Sequence, residues 1–91
     1  MALSESCNQQ RLKAIISFRV GMEGKGSAAL VDFIDCLAPE MENNSSLVGA
    51  EEANLFEQIF SAQQRGDYIF LADLLEYVLP NTKLGPLMGL S

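Results

Sequence analysis

Apolar residues recur along this chain at helical spacing, in four blocks divided by turn-forming residues. In the first, from about Ser4 to Glu23, Leu12, Ile15, Ile16, Phe18, Val20 and Met22 form a broad apolar stripe with Lys13 and Ser17 opposite. Gly24-Lys25-Gly26 is the expected stop, and Ser27 the expected cap of the second helix. That helix, 27–42, places Leu30, Val31, Phe33, Ile34, Leu37, Ala38 and Met41 on one face and Asp32, Asp35 and Glu40 on the other. Pro39 lies inside the pattern. It is expected to end or kink the helix near Ala38, because it lacks an N–H and crowds the preceding turn. Asn43-Asn44-Ser45-Ser46 then reads as a polar linker, since these side chains bond their own backbone in competition with helix.

The third helix, 49–65, carries Glu51 and Glu52 in its first turn, where the helix dipole favours acids. Leu55, Phe56, Ile59, Phe60 and Ala62 form its inner face; Asn54, Glu57, Ser61, Gln64 and Arg65 form the outer one. Gly66 ends it and Asp67 caps the next helix at once, so the two are antiparallel neighbours or cross steeply. The fourth helix, 67–79, is apolar over most of its circumference. Leu71, Leu74, Leu75 and Val78 cluster on one side, Tyr68, Ala72 and Leu79 extend it one way, and Phe70 and Tyr77 the other. Only Ile69, Asp73 and Glu76 remain outside. An arc that wide exceeds the ~100° a surface helix needs. The helix sits at the centre of a bundle or meets a second chain. Pro80 ends it. The tail, 81–91, carries Gly85, Pro86 and Gly89 and is not expected to be helical, while its Leu84, Leu87, Met88 and Leu90 are suited to docking.

The pattern predicts an all-α protein: a single domain, 1–91, built as a small antiparallel four-helix bundle with a docked C-terminal tail. The expected core is Leu12, Ile15, Ile16, Leu30, Phe33, Ile34, Leu37, Leu55, Phe56, Ile59, Leu71, Leu74, Leu75 and Val78. A length of 91 residues fits one domain, and a charged fraction of 20% is too low for disorder. A net charge of -6 with six scattered basic residues argues against nucleic acid and against an anionic membrane surface. No apolar run reaches the roughly 18 residues of a membrane span. The N-terminus lacks the basic and apolar regions of a secretory signal, so a cytoplasmic location is expected. Cys7 and Cys36 form no CxxC pair. Reduced thiols near helix surfaces are the expectation in that compartment, with a disulfide as the alternative.

Candidate chemistry is sparse. Asp32/Asp35 and Asp73/Glu76 each place two carboxylates on one helical face. The carboxylate-bridged metal sites of bundles use Glu-x-x-His, and this chain has no histidine. Solvated helix edges are the preferred interpretation, and neither a cofactor nor a metal is expected. Arg19 falls within the apolar stripe of the first helix. It pairs with Asp73 or Glu76, pairs with Asp32 or Asp35, or is simply exposed. Arg65-Gly66-Asp67 spells an integrin-recognition tripeptide but reads as a turn and a cap. The Asn-x-Ser patterns at Asn43 and Asn44 have no meaning without secretion. Gly21, Gly24 and Gly26 lack the strand and the Lys-Ser/Thr of a phosphate loop. Tyr68 and Tyr77 suit a bundle rim better than acid–base work.

The stretch Ala62-Gln63-Gln64-Arg65-Gly66-Asp67-Tyr68-Ile69-Phe70-Leu71-Ala72-Asp73-Leu74-Leu75-Glu76-Tyr77 resembles the C-terminal motif of a family of small bacterial helical proteins. In those proteins an acidic–aromatic helix start precedes Leu-Ala-Asp-x-Leu-Glu-Tyr. The upstream Gly21-Met22 and Phe33-Ile34-Asp35-x-Leu37 patterns are similar too, and the likeness spans roughly Phe18 to Pro80. It implies an all-helical bundle and assigns no activity, cofactor or site residue.

The expected function is a non-enzymatic protein–protein interaction module that self-associates as a homodimer or grips an amphipathic partner helix. A chaperone-like role towards an amphipathic substrate is one concrete form. Ile69, Phe70, Asp73, Glu76, Tyr77, Leu84, Leu87 and Met88 are the candidate interaction residues, with Arg19, Asp73 and Glu76 as a candidate ion pair. The alternatives are an acidic regulatory or inhibitory protein that binds a basic partner, and a carboxylate-based metal-dependent protein.

Overall fold

Gly21, and not the glycines after it, makes the first turn. In the computed structural model, which describes residues 2–43, 46 and 48–87, α1 spans Ala2–Arg19 and α2 spans Glu23–Asn43. Gly21 has a positive φ of 81°, which glycine adopts without steric cost. The Met22 N–H closes the turn on the Ser17 carbonyl at 2.8 Å. So α1 stops short of the expected Glu23, and α2 begins at Glu23 instead of behind a Ser27 cap. Gly24 and Gly26 lie inside α2. Gly26 serves packing, since a Cβ there would meet the Phe18 ring at 2.5 Å.

From that contact α2 folds back along α1, and Cys36 reaches Cys7. The two form a disulfide with Cα atoms 5.5 Å apart, inside the range that a disulfide bridges. This corrects the expectation of free thiols. Residues far apart in sequence are brought together by the α1–α2 turn, which the spacing of the cysteines does not encode. Nor does the helix end near Ala38: α2 runs through Pro39 to Asn43. Pro39 and Asp35 are both exposed, so the carbonyl that loses its N–H partner lies on the water-facing side.

Helix α3 spans Ala50–Arg65 and α4 spans Tyr68–Asp73. Between them Gly66 closes α3 in the left-handed conformation, and the Asp67 side chain accepts a long hydrogen bond (3.4 Å) from the Phe70 N–H. The expected uniform helix 67–79 is rewound after Asp73. Leu74–Val78 form a π-helical turn and Leu79–Asn81 a 3₁₀ turn. The Leu79 N–H bonds the Leu74 carbonyl, a wider register than an α-helix uses. In that register the partner of the Leu75 carbonyl would be the nitrogen of Pro80, which carries no hydrogen. Arg11 supplies the missing donor, with its Nη1 2.7 Å from the Leu75 oxygen. The arginine is buried, 6% exposed, and its Nε donates to Asn8 Oδ1 at 3.0 Å.

The wider turn shifts the inner face by one position. Val78, expected in the core, is 44% exposed, while Leu79 is fully buried. The chain then closes on itself. Thr82 Oγ1 donates to the Leu79 carbonyl at 2.7 Å and accepts from the Leu84 N–H at 3.2 Å. A single α-helical turn, α5, spans Leu84–Leu87, where no helix was expected. Leu84 is fully buried, so this part of the tail docks on its own chain. The Leu87 side chain and residues Met88 and Leu90 lie outside the described residues, as do Asn44 and Ser45 of the expected linker.

The buried core comprises Cys7, Ala14, Ile15 and Phe18 of α1; Ala29, Leu30, Phe33 and Leu37 of α2; Leu55, Ile59 and Ala62 of α3; and Leu71, Ala72, Leu74, Leu75, Leu79 and Leu84. Ile34 and Phe56 are partly buried against it. Two more expected core residues are exposed, Leu12 at 42% and Ile16 at 62%. The inward line of α1 is Cys7, Arg11, Ala14, Ile15 and Phe18, at helical spacing. A cysteine, an arginine and an alanine on that line hid it from a search for large apolar residues. Val31 and Phe60, expected on inner faces, are likewise exposed. The elements are all α-helical or related turns, with no strand among the described residues. None of the described helices is long and apolar enough to cross a membrane.

Candidate interaction surfaces

Two surfaces carry what the core leaves over. The first lies where α1 meets α4 and the π turn. Arg19, in the last turn of α1, is held between two acids: its Nη2 lies 2.9 Å from Asp73 Oδ1, and its Nε donates to Glu76 Oε1 at 3.0 Å. Of the alternatives for Arg19, the structure thus brings it to Asp73 and Glu76 and not to Asp32 or Asp35, which are exposed on α2. The hydrogen bonds that Arg19 donates to Asp73 and Glu76 push its pKa above its ordinary value. Its guanidinium carbon sits 5.9 Å from the centre of the Tyr77 ring, within cation–π range. Glu76, next to the Tyr77 hydroxyl, pushes that phenol above its usual range. All four side chains are partly or largely open to water, so the cluster is screened by salt. Next to Arg19 along the outer side of α1, Leu12, Ile16 and Val20 form a line of exposed apolar residues at i, i+4, i+8.

The second surface is an open groove between α2 and α3. These helices touch little among the described residues, because α2 packs on α1 while α3 packs on α4 and the π turn. The gap holds about 330 Å³ and is lined by Ile34, Leu37, Ala38, Met41, Glu42, Phe56 and Phe60. Glu42 is the one charged side chain in that lining among the described residues. Phe56 and Phe60 stack at 6.4 Å along the α3 wall, and Phe60 is 46% exposed.

The expected interaction residues divide between cover and exposure. Ile69 (58%) and Tyr77 (59%) are exposed. Phe70 is half-buried and borders a shallow depression with Glu57, Gln58, Ser61 and Arg65 of α3, so α3 covers much of it. Leu84 is withdrawn into the core and is corrected as an interaction residue. Sequence reasoning missed the groove. Phe60 and Met41 fall on the inner faces of their helical patterns, and a periodic pattern does not reveal that two such faces stay apart.

It also missed Glu52, which is 1% exposed. Its Oε1 accepts from the Gly49 N–H at 2.8 Å and its Oε2 from the Lys83 N–H at 3.2 Å. The same carboxylate therefore caps α3 and ties down the approach to α5. The Gly49 hydrogen bond, aided by Lys83 and opposed by burial, holds its pKa below the ordinary carboxylate value. The Gly49-x-x-Glu52 spacing is half of a capping box and was the available signal.

Among the described residues no group of three or more His, Cys, Asp or Glu is placed to hold a metal ion. No protein-family model matches the chain, and neither a curated protein nor a solved structure matches it significantly.

Proposed function

We propose that this chain is a non-enzymatic interaction module that grips the apolar face of a partner helix in the α2–α3 groove. The observation that carries the proposal is the groove itself: an open, almost wholly apolar gap between two helices, walled by a stacked phenylalanine pair. Large apolar side chains left facing water in one concave patch mark interaction sites in folded proteins. The proposal includes the architecture of an antiparallel four-helix bundle opened on one side, so that an added helix would complete the α2–α3 layer. A photoreactive residue at position 60 tests this in cells of the native host, with position 13 on the polar side of α1 as the control. One discrete cross-linked partner from position 60 alone is expected. No product, or equal products from both positions, counts against the module.

A second reading, self-association, is favoured by the exposed Leu12, Ile16 and Val20 line along α1. It requires a concentration-dependent dimer in sedimentation that Ile16→Glu disperses. A monomer at all concentrations removes it.

A further inference from the structure

The groove has a charged border as well as an apolar floor. Glu42 of α2 lies in the lining itself, Asp35 stands one turn before Ala38 on the same side of α2, and Glu57 stands one turn before Phe60 on α3, on the exposed ridge between the groove and the Phe70 depression that it also borders. All three acids are exposed, and none forms a salt bridge among the described residues. Among the described residues no lysine or arginine lines the groove. Two of the six basic side chains, Arg11 and Arg19, are engaged on the opposite seam. Phe60 also presents an exposed aromatic ring at the rim, the kind of surface on which a guanidinium or ammonium group settles.

We infer that the occupant is a basic amphipathic helix, with an apolar ridge for the Ile34–Met41–Phe56–Phe60 floor and Lys or Arg flanking the ridge to meet Asp35, Glu42 and Glu57. The inference rests on the interaction-module reading and narrows it. An apolar helical face gives affinity through i, i+3/i+4 and i+7 anchors, and opposite charge at the rim gives orientation and selectivity. An acidic helix of the same shape meets three like charges and is refused.

Anisotropy titrations of the full chain test this with two labelled Leu-based amphipathic helices of about 18 residues, long enough to hold helical structure. One carries Lys and the other Glu on its polar face. The Lys peptide is expected to bind, the Glu peptide to bind at least about tenfold more weakly, and added salt to shrink the difference. Phe60→Ser and the pair Glu42→Lys/Glu57→Lys are each expected to weaken the Lys peptide about tenfold. The pair Glu23→Lys/Glu51→Lys, with the same change in net charge away from the groove, is expected to do little. Equal weakening by both charge pairs signals diffuse attraction to an acidic protein and overturns the inference. Equal binding of both peptides, lost with Phe60→Ser, also overturns it but leaves the module standing. A dimer that Phe60→Ser disperses puts a second copy in the groove, with the same consequence. If neither peptide binds, or Phe60→Ser leaves binding unchanged, the inference and the groove reading fall together.

Discussion

The α1–α4 seam and the α2–α3 gap are built from similar apolar residues, yet one is closed and the other is open. At the seam, Phe18 of α1 stacks on Tyr68 of α4 with ring centres 5.2 Å apart, Ile15, Leu71 and Leu75 are buried in the same core, and polar groups finish the contact: Arg11 on the Leu75 carbonyl, Arg19 on Asp73 and Glu76. In the gap, Ile34, Met41, Phe56 and Phe60 face one another across open space with no such bonds among them. An apolar face therefore does not decide its own fate. A face whose leftover backbone and charged groups find partners within the chain is closed; one lined almost wholly by carbon is left available.

Truncating one residue in each region should give the largest contrast. Leu75→Ala, at a fully buried position, is expected to cost about 2–5 kcal/mol. Phe60→Ser is expected to change stability by no more than about 0.5 kcal/mol, as exposed positions do. Denaturant unfolding of both variants checks the pair. A large loss for Phe60→Ser would mean that the gap is closed in solution.

The disulfide supplies the next largest effect. It pins α2 to α1 across a sequence separation of 29. Cross-links over loops of this size stabilise by roughly 3–4 kcal/mol. Reduction, or Cys7→Ser/Cys36→Ser, is expected to lower the unfolding midpoint by a corresponding amount, measured with and without reductant. An unchanged midpoint would show that α1–α2 packing alone holds this side of the gap. Structural disulfides persist in oxidising compartments, so the bridge stands against the cytoplasmic expectation, and a thiol-trapping assay on protein from the native host decides between them.

The seam's polar closure predicts a coupling between two residues distant in sequence. Arg11→Met removes the donor to the Leu75 carbonyl and is expected to cost about 1–3 kcal/mol, the penalty for a buried acceptor left unpaired. Pro80→Ala restores a backbone N–H at the position that the π register directs to that carbonyl. In the Pro80→Ala background the Arg11→Met cost should therefore shrink. A double-mutant cycle measures this, and strictly additive costs would sink the account of the π turn.

Much of the helical content was legible because it is written in local periodicity and turn chemistry: apolar spacing in every block, and Gly66-Asp67 as stop and start. What was not legible depends on tertiary placement. Leu12 and Ile16 look like core until Phe18 docks on Gly26 and turns their face outward. Val78 fits a uniform helical wheel, and only the missing N–H of Pro80 together with Arg11 accounts for the shift to Leu79. Of the candidate site, the Arg19 cluster could be posed as alternatives from the sequence, since charged residues on apolar stripes are conspicuous. The groove could not, because periodicity identifies an apolar face without saying whether another element covers it.

Glu52 gives the finest test, because it fastens the chain beyond the π turn to the start of α3, beside the gap. Its depressed pKa means that the folded state holds the carboxylate charged more firmly than the unfolded chain does. That contribution is fully present above the unfolded carboxylate pKa of about 4.3 and is lost as pH falls through the lower folded value. Glu52→Gln keeps the shape but offers one neutral acceptor oxygen where the carboxylate offers two, so one backbone N–H loses its partner and the other bond weakens, at an expected cost of about 1–2 kcal/mol at neutral pH. The difference between wild type and variant should then narrow in acid, below about pH 4. Unfolding midpoints across pH 3 to 7, roughly spanning the carboxylate range, read this directly. A gap that stays constant with pH would show that Glu52 acts through packing and not through its charge. Exchange protection of the Lys83 and Gly49 amides adds a local measure. Glu52→Gln should lower both, while the amides that line the seam around Leu75 keep their protection. Equal loss at the seam would mean that closing the tail and closing the core are one event, and the contrast between the two regions would disappear.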